Sequence, residues 1–168
     1  MRTREEYARV FDECKDLLRE HGLIAPRVNL KVPFNAPLLS ETNCTTTIKV
    51  GSWVQFLALF GNDRLRRTLL HELFHVLVDR VPPNWGIRGA FGDEEDWEAE
   101  QCFLDCFASN DEDYVTRYAM THPEEDLVET AVFLLLEGEP AWNEAVQQKA
   151  EAVNEWFDVI RRRKRRVA

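Results

Sequence analysis

Apolar residues recur along most of this chain with the spacing of a helix, and only two short stretches alternate as strands do. Tyr7, Val10, Phe11, Cys14, Leu17 and Leu18 share one helical face, opened by a Thr3/Glu6 capping box and stopped at Gly22. RVNLKV at 27–32 and CTTTIKV at 44–50 alternate and favour β structure, so they are read as two strands joined by the loop PFNAPLLSETN. Ser52 caps a short helical piece, WVQFLALF, broken at Gly61-Asn62-Asp63. A long helix then runs from Asp63 to about Arg80 and ends before Pro82-Pro83. Residues 81–93 read as a Pro/Gly loop, and EEDWEAEQCFLDCFAS as an acidic helix. A Thr121/Glu124 capping box with Pro123 in the first turn opens PEEDLVETAVFLLLEG, closed at Gly138. A last helix from about Pro140 aligns Trp142, Val146, Ala150, Val153, Phe157 and Ile160. The expected fold is α+β and predominantly helical, one domain over 1–168 with a small sheet.

Composition is that of a globular protein, with 45% hydrophobic and 30% charged residues, and 168 residues suffice to bury a core without staples. No leader-like apolar stretch opens the sequence, and no apolar run approaches the ~18 residues of a membrane span, so a cytoplasmic chain is expected. Cys14, Cys44, Cys102 and Cys106 form no C-x-x-C pair and are read as reduced thiols. Cys102 and Cys106, one turn apart, have no other soft ligands beside them and are read as small core residues.

Charge is unevenly distributed. The run RRRKRR at 161–166 holds six of the 21 basic residues, which leaves 15 against 30 acidic ones in the body. A body that acidic repels phosphate backbones, so no nucleic-acid partner is expected. The basic tail (161–168) reads as cations at a helix C-terminus, or as a patch for an acidic partner or a compartment address.

The chemistry is concentrated in LLHELFHVLV at 69–78, where three ionisable side chains interrupt an apolar run. His71-Glu72-Leu73-Phe74-His75 is an H-E-x-x-H. On a helix, residues i and i+4 share a face, so His71 and His75 can direct their imidazoles at one zinc ion. Glu72, one residue on, is placed to reach a water on that ion as a general base.

A catalytic zinc needs a third protein ligand. The metzincin extension would put Gly and His where this chain has Val78 and Val81, which excludes that branch. His21 and His122 read as lone surface histidines, so a glutamate is the better candidate. Glu94 and Glu95 follow His75 by 19 and 20 residues, and Glu125 and Glu129 lie one turn apart on a later helix. Spacing alone does not choose between the two pairs. Glu125 and Glu129 share a face with apolar Val128, Ala131 and Leu134, which draws at least one carboxylate inward, towards a cation or donor.

YAMTHPEEDLVET at 118–130 resembles the Y-A-x-x-H-P-x-E-D-x-A-E-T signature of the putative zinc-binding metallopeptidases. AFGDEEDW at 90–97 is similar to the F-G-D-E stretch between their two metal segments, and Asp79 matches an Asp they carry just after H-E-x-x-H. The same helix also resembles the Y-x(6)-E-x(3)-E arrangement of lethal-factor-type gluzincins. The resemblance spans about residues 66–137. It implies a zincin-like domain with Glu125 as third zinc ligand and Tyr118 facing the substrate oxyanion. Glu129 would hold a ligand histidine by its other ring nitrogen, and Asp79 would support the site from outside the ligand set. Val128, Leu127 and Phe74 depart from the family pattern, at positions that shape the pocket rather than bind metal.

The expectation is therefore a metallopeptidase with one zinc per chain that hydrolyses peptide bonds in a peptide or protein substrate. Three other readings are a narrow-specificity effector or toxin protease, a zinc-stabilised module without catalysis, and a helical interaction domain without metal.

Overall fold

The computed structural model describes residues 3–33, 41–42, 47–51, 61–98, 112–138 and 143–167. The expected helical piece after Ser52, the rest of the acidic helix with Cys102 and Cys106, and Trp142 lie outside them. Helices dominate and the sheet is small, an α+β chain. The chain divides into two compact units, Met1–Pro82 and Pro83–Ala168.

The first unit opens with α1 (Arg4–Glu20). Thr3 Oγ1 accepts from the Glu6 N–H at 3.2 Å and the Glu6 carboxylate accepts from the Thr3 N–H at 2.6 Å, the expected capping box. Tyr7, Val10, Phe11, Cys14 and Leu18 are buried on one face, each full burial of such a side chain contributing about 1.5–3 kcal/mol. Three short strands follow: β1 (Asn29–Lys31), β2 (Glu41–Thr42) and β3 (Thr47–Lys49). β3 lies centrally, parallel to β1 with Leu30 opposite Ile48, and antiparallel to β2 with Thr42 opposite Ile48. β2 was not expected, because it lies within the stretch read as a loop. Two residues are too few for an alternating pattern, and only the open edge of β3 makes them a strand.

Helix α2 (Asp63–Arg80) has the predicted bounds. From Leu69 to Val78 every residue except His75 is buried, so this helix is covered on almost all sides. It packs on α1, where Cys14 Sγ donates to the Arg66 carbonyl at 3.6 Å and Arg66 Nη2 donates to Glu13 Oε2 at 3.3 Å. At its other end Arg80 Nη2 donates to the Arg27 carbonyl just before β1.

The second unit starts with the short helix α3 (Trp85–Arg88), inside the stretch read as loop, capped by Asn84, whose Oδ1 accepts from the Ile87 N–H. The Arg88 guanidinium sits over the rings of both Trp85 and Trp97, at 5.1 and 4.8 Å. α4 (Glu94–Glu98) is opened by reciprocal bonds between Asp93, just before it, and Asp96 in its first turn. Gly92, at φ 151°, lets this turn approach the next helix: a Cβ there would meet Pro123 Cγ at 3.1 Å.

A single 3₁₀ turn (Ala119–Thr121) leads into α5 (Pro123–Glu137). Its cap is His122 rather than Thr121: Nδ1 of His122 accepts from the Glu124 N–H at 3.1 Å, while Thr121 Oγ1 donates back to the Tyr118 carbonyl. The 3₁₀ turn uses the Thr121 hydroxyl and leaves the helix N-terminus to the next acceptor in the chain. Gly138, at φ 74°, ends α5 with its N–H on the Leu134 carbonyl. α6 (Glu144–Val167) begins four residues later than expected, where Asn143 Oδ1 accepts from Val146 N–H, and it runs through the basic segment. Val146, Ala150, Val153, Trp156, Phe157 and Ile160 are its buried apolar residues, and α6 packs on α5 and α3. Among the described residues no helix is long and apolar enough to cross a membrane.

Candidate metal centre

Helix α2 places His71 and His75 one turn apart, with their Nε2 atoms 3.1 Å from each other. The rings meet edge to face, centroids 4.7 Å apart. Two nitrogens bound at about 2.0–2.1 Å to one tetrahedral zinc are about 3.3 Å apart, so the pair has the spacing of two corners of such a site. His71 is buried and His75 half-buried. Between them in sequence, Glu72 is only 5% exposed, among buried Leu70, Leu73, Phe74 and Val76. A carboxylate so far from water is kept there only by charged or hydrogen-bonding partners. Asp79, in the last turn of the same helix, is exposed.

In the second unit the acidic residues of α5 separate by burial. Glu125, Asp126 and Glu129 are buried, whereas Glu94 and Glu95 on α4 are exposed. Tyr118, half-buried just before the 3₁₀ turn, donates its hydroxyl to Glu125 Oε1 at 3.3 Å. Glu129, one turn further along α5, accepts from Thr116 Oγ1 at 2.9 Å, and that hydroxyl in turn accepts from the Ala119 N–H at 3.1 Å. Two side-chain bonds, from Tyr118 to Glu125 and from Thr116 to Glu129, thus join α5 to the segment before it. Asp126 faces the other way, towards Lys149 of α6, whose Nζ is 2.7 Å from Oδ2 without the alignment of a good hydrogen bond. Burial pushes the Asp126 carboxyl up to about 6, although the Lys149 charge pulls it down.

Thr116, His122 and Lys149 were missed as residues that shape this region. His122, a lone surface histidine by sequence, instead caps α5 and sets its ring edge-on against Trp97, centroids 6.2 Å apart. Thr116 left no periodic signal, since its partner is thirteen residues away. Lys149 did leave one: it follows Val146 by three residues and precedes Val153 by four, a lysine on an apolar stripe.

Residues 55–166 match the family model described as "Putative zinc-binding metallo-peptidase". The chain belongs to this family. The matched span takes in both the H-E-x-x-H of α2 and the acidic helix α5. Membership in this zinc-binding metallopeptidase family brings with it, at the level of the family, zinc as the metal and peptides as the substrate class. No curated protein and no solved structure matches the chain. The donor chemistry of α2 fits zinc: two imidazole nitrogens lie on one face, with a buried carboxylate as immediate neighbour.

Proposed function

We propose that this metallopeptidase is an endopeptidase of one catalytic domain whose zinc is held by His71, His75 and Glu125, with Glu72 as general base and Tyr118 as oxyanion donor. The observation that carries the reading is the 3.1 Å separation of the two Nε2 atoms on an otherwise apolar helix. His71, His75 and Glu125 each offer one donor atom, the number of protein ligands that a catalytic zinc would take. The choice of Glu125 over Glu94 or Glu95 is supported by burial, because a buried carboxylate needs a cation or donors and an exposed one does not.

When bound, the zinc supplies Lewis acidity and lowers the pKa of a coordinated water. The Glu72 carboxylate takes a proton from the attacking water as the new C–O bond forms. It delivers that proton to the amine nitrogen as the C–N bond breaks, so it ends the cycle ionised again. Tyr118 moves its hydroxyl hydrogen from Glu125 to the oxygen of the scissile carbonyl, where negative charge develops. Glu129 is assigned to hold a ligand histidine by its other ring nitrogen, the contact that fixes the tautomer of such histidines. Asp79 is kept as an outer supporting residue at the end of α2.

Glu72→Gln tests the proposal. The variant should retain zinc and lose peptide hydrolysis by at least about 100-fold, in line with general acid–base contributions; undiminished hydrolysis with zinc still bound would overturn it.

A further inference from the structure

The second unit contains one almost fully buried cation among the described residues. Lys149, on the second turn of α6, is 8% exposed. Its ammonium donates to the Asp113 carbonyl at 2.7 Å, pairs with Asp126 Oδ2 at 2.7 Å and lies 3.7 Å from the centroid of the Tyr114 ring. Placing a lysine there costs several kcal/mol of desolvation unless its donors are used, and here they join two separate parts of the chain. Asp126 follows Glu125 directly in the first turn of α5. Asp113 and Tyr114 begin the segment that continues through Thr116 to Tyr118. Asn143, the cap of α6, holds the same segment: its Nδ2 donates to the Glu112 carbonyl at 2.9 Å and to Asp113 Oδ1 at 3.1 Å. The start of α6 is therefore the platform on which both are mounted.

We infer that Lys149 is a positioning residue for the metal centre: by tying Asp126 to the Asp113 carbonyl it fixes the α5 first turn against the 113–121 segment, so that Glu125 and Tyr118 are presented together. The inference rests on the proposed role of Glu125 as zinc ligand. The bond from Tyr118 to Glu125 spans the two parts that Lys149 joins, and at 3.3 Å it is too long to hold them in register by itself. Thr116 adds a second link through Glu129, further along the helix and away from the turn that bears Glu125. Lysine suits this role because one compact ammonium donates to a carbonyl, pairs by charge with a carboxylate and faces an aromatic ring at the same time.

The test is the zinc dissociation constant of the full-length protein, measured by competition with a chromophoric chelator. Lys149→Met should weaken zinc by about tenfold or more, the usual effect of losing a contact that orients metal ligands. Lys149→Arg, which can reach both partners, should stay within about threefold of wild type. A purely structural lysine would lower the melting temperature and leave the zinc affinity of the folded protein unchanged. Should Lys149→Met fail to fold because Asp126 is left buried and unpaired, the double variant Lys149→Met/Asp126→Leu removes that charge. It should fold and still bind zinc about tenfold more weakly, since the tie to Asp113 is gone. Wild-type zinc affinity in either folded variant overturns the inference. Glu125→Ala, measured alongside, separates the two ideas. If it keeps wild-type affinity the ligand assignment fails, and if it loses zinc while the Lys149 variants do not, only the positioning role fails.

Discussion

The Tyr118 hydroxyl donates to Glu125 Oε1 at 3.3 Å, across the seven residues that separate them in sequence. A phenol on the proposed third ligand is held in reserve: its hydrogen is already engaged, yet the bond is weak enough to be exchanged for a better acceptor. A carbonyl oxygen that gains negative charge is such an acceptor. Tyr118→Phe should therefore leave the zinc content unchanged and lower kcat by about 100-fold, the scale found when an oxyanion donor is removed. Metal analysis with peptide-cleavage kinetics checks this, and an unchanged kcat would remove Tyr118 from the mechanism.

Two glutamate pairs competed as source of the third ligand, and their exposure differs. Glu125→Ala should yield protein with much less than one zinc per chain after dialysis against a weak chelator. Glu95→Ala, an exposed position on α4, should retain the full complement. The reverse pattern would move the ligand to α4 and leave α5 with a structural role.

Cys14 is buried against Arg66, and that burial pushes its thiol from an ordinary value up to about 12. The thiolate is the reactive form, so at about pH 8 only a minute fraction of this residue can react. Alkylation mapped by mass spectrometry should spare Cys14 in the folded protein and modify it fully once α1 separates from α2 in denaturant. Rapid labelling of the native state would show that this face of α1 opens readily.

Asp126 gives the stability a defined slope with pH. Its carboxyl is raised in the folded protein to about 6, from 3.8, because burial outweighs the attraction of Lys149. The folded state therefore binds this proton more tightly than the unfolded one. The contribution is fully present below about 3.8 and is lost as pH rises through about 6. Urea unfolding of the zinc-free protein should show wild type losing stability on this account between those values. Asp126→Asn should lack that limb, and parallel curves for the two proteins would refute the assignment.

Much of this protein was legible in advance where the interactions are local. The Thr3/Glu6 box, the bounds of α2 and the Gly138 stop depend on residues within one turn of each other. The H-E-x-x-H could be read as a metal motif for the same reason, since i and i+4 always share a helical face. Legibility failed where a neighbour in space replaced a neighbour in sequence. β2 has no pattern of its own and exists by pairing with β3. The cap of α5 moved from Thr121 to His122 because the 3₁₀ turn uses the threonine hydroxyl.

By itself, then, the sequence determined a helical α+β chain with two histidines and a glutamate on one apolar helix, and it narrowed the candidates for a third ligand to two pairs of acids. Tertiary structure decided which acids are buried, that Tyr118 and Thr116 bond to Glu125 and Glu129, and that a lysine on an apolar stripe is the cation beneath Asp126. Helical periodicity is a property of a few consecutive residues. Desolvation, which makes one carboxylate need a partner and leaves another indifferent, depends on everything packed around it.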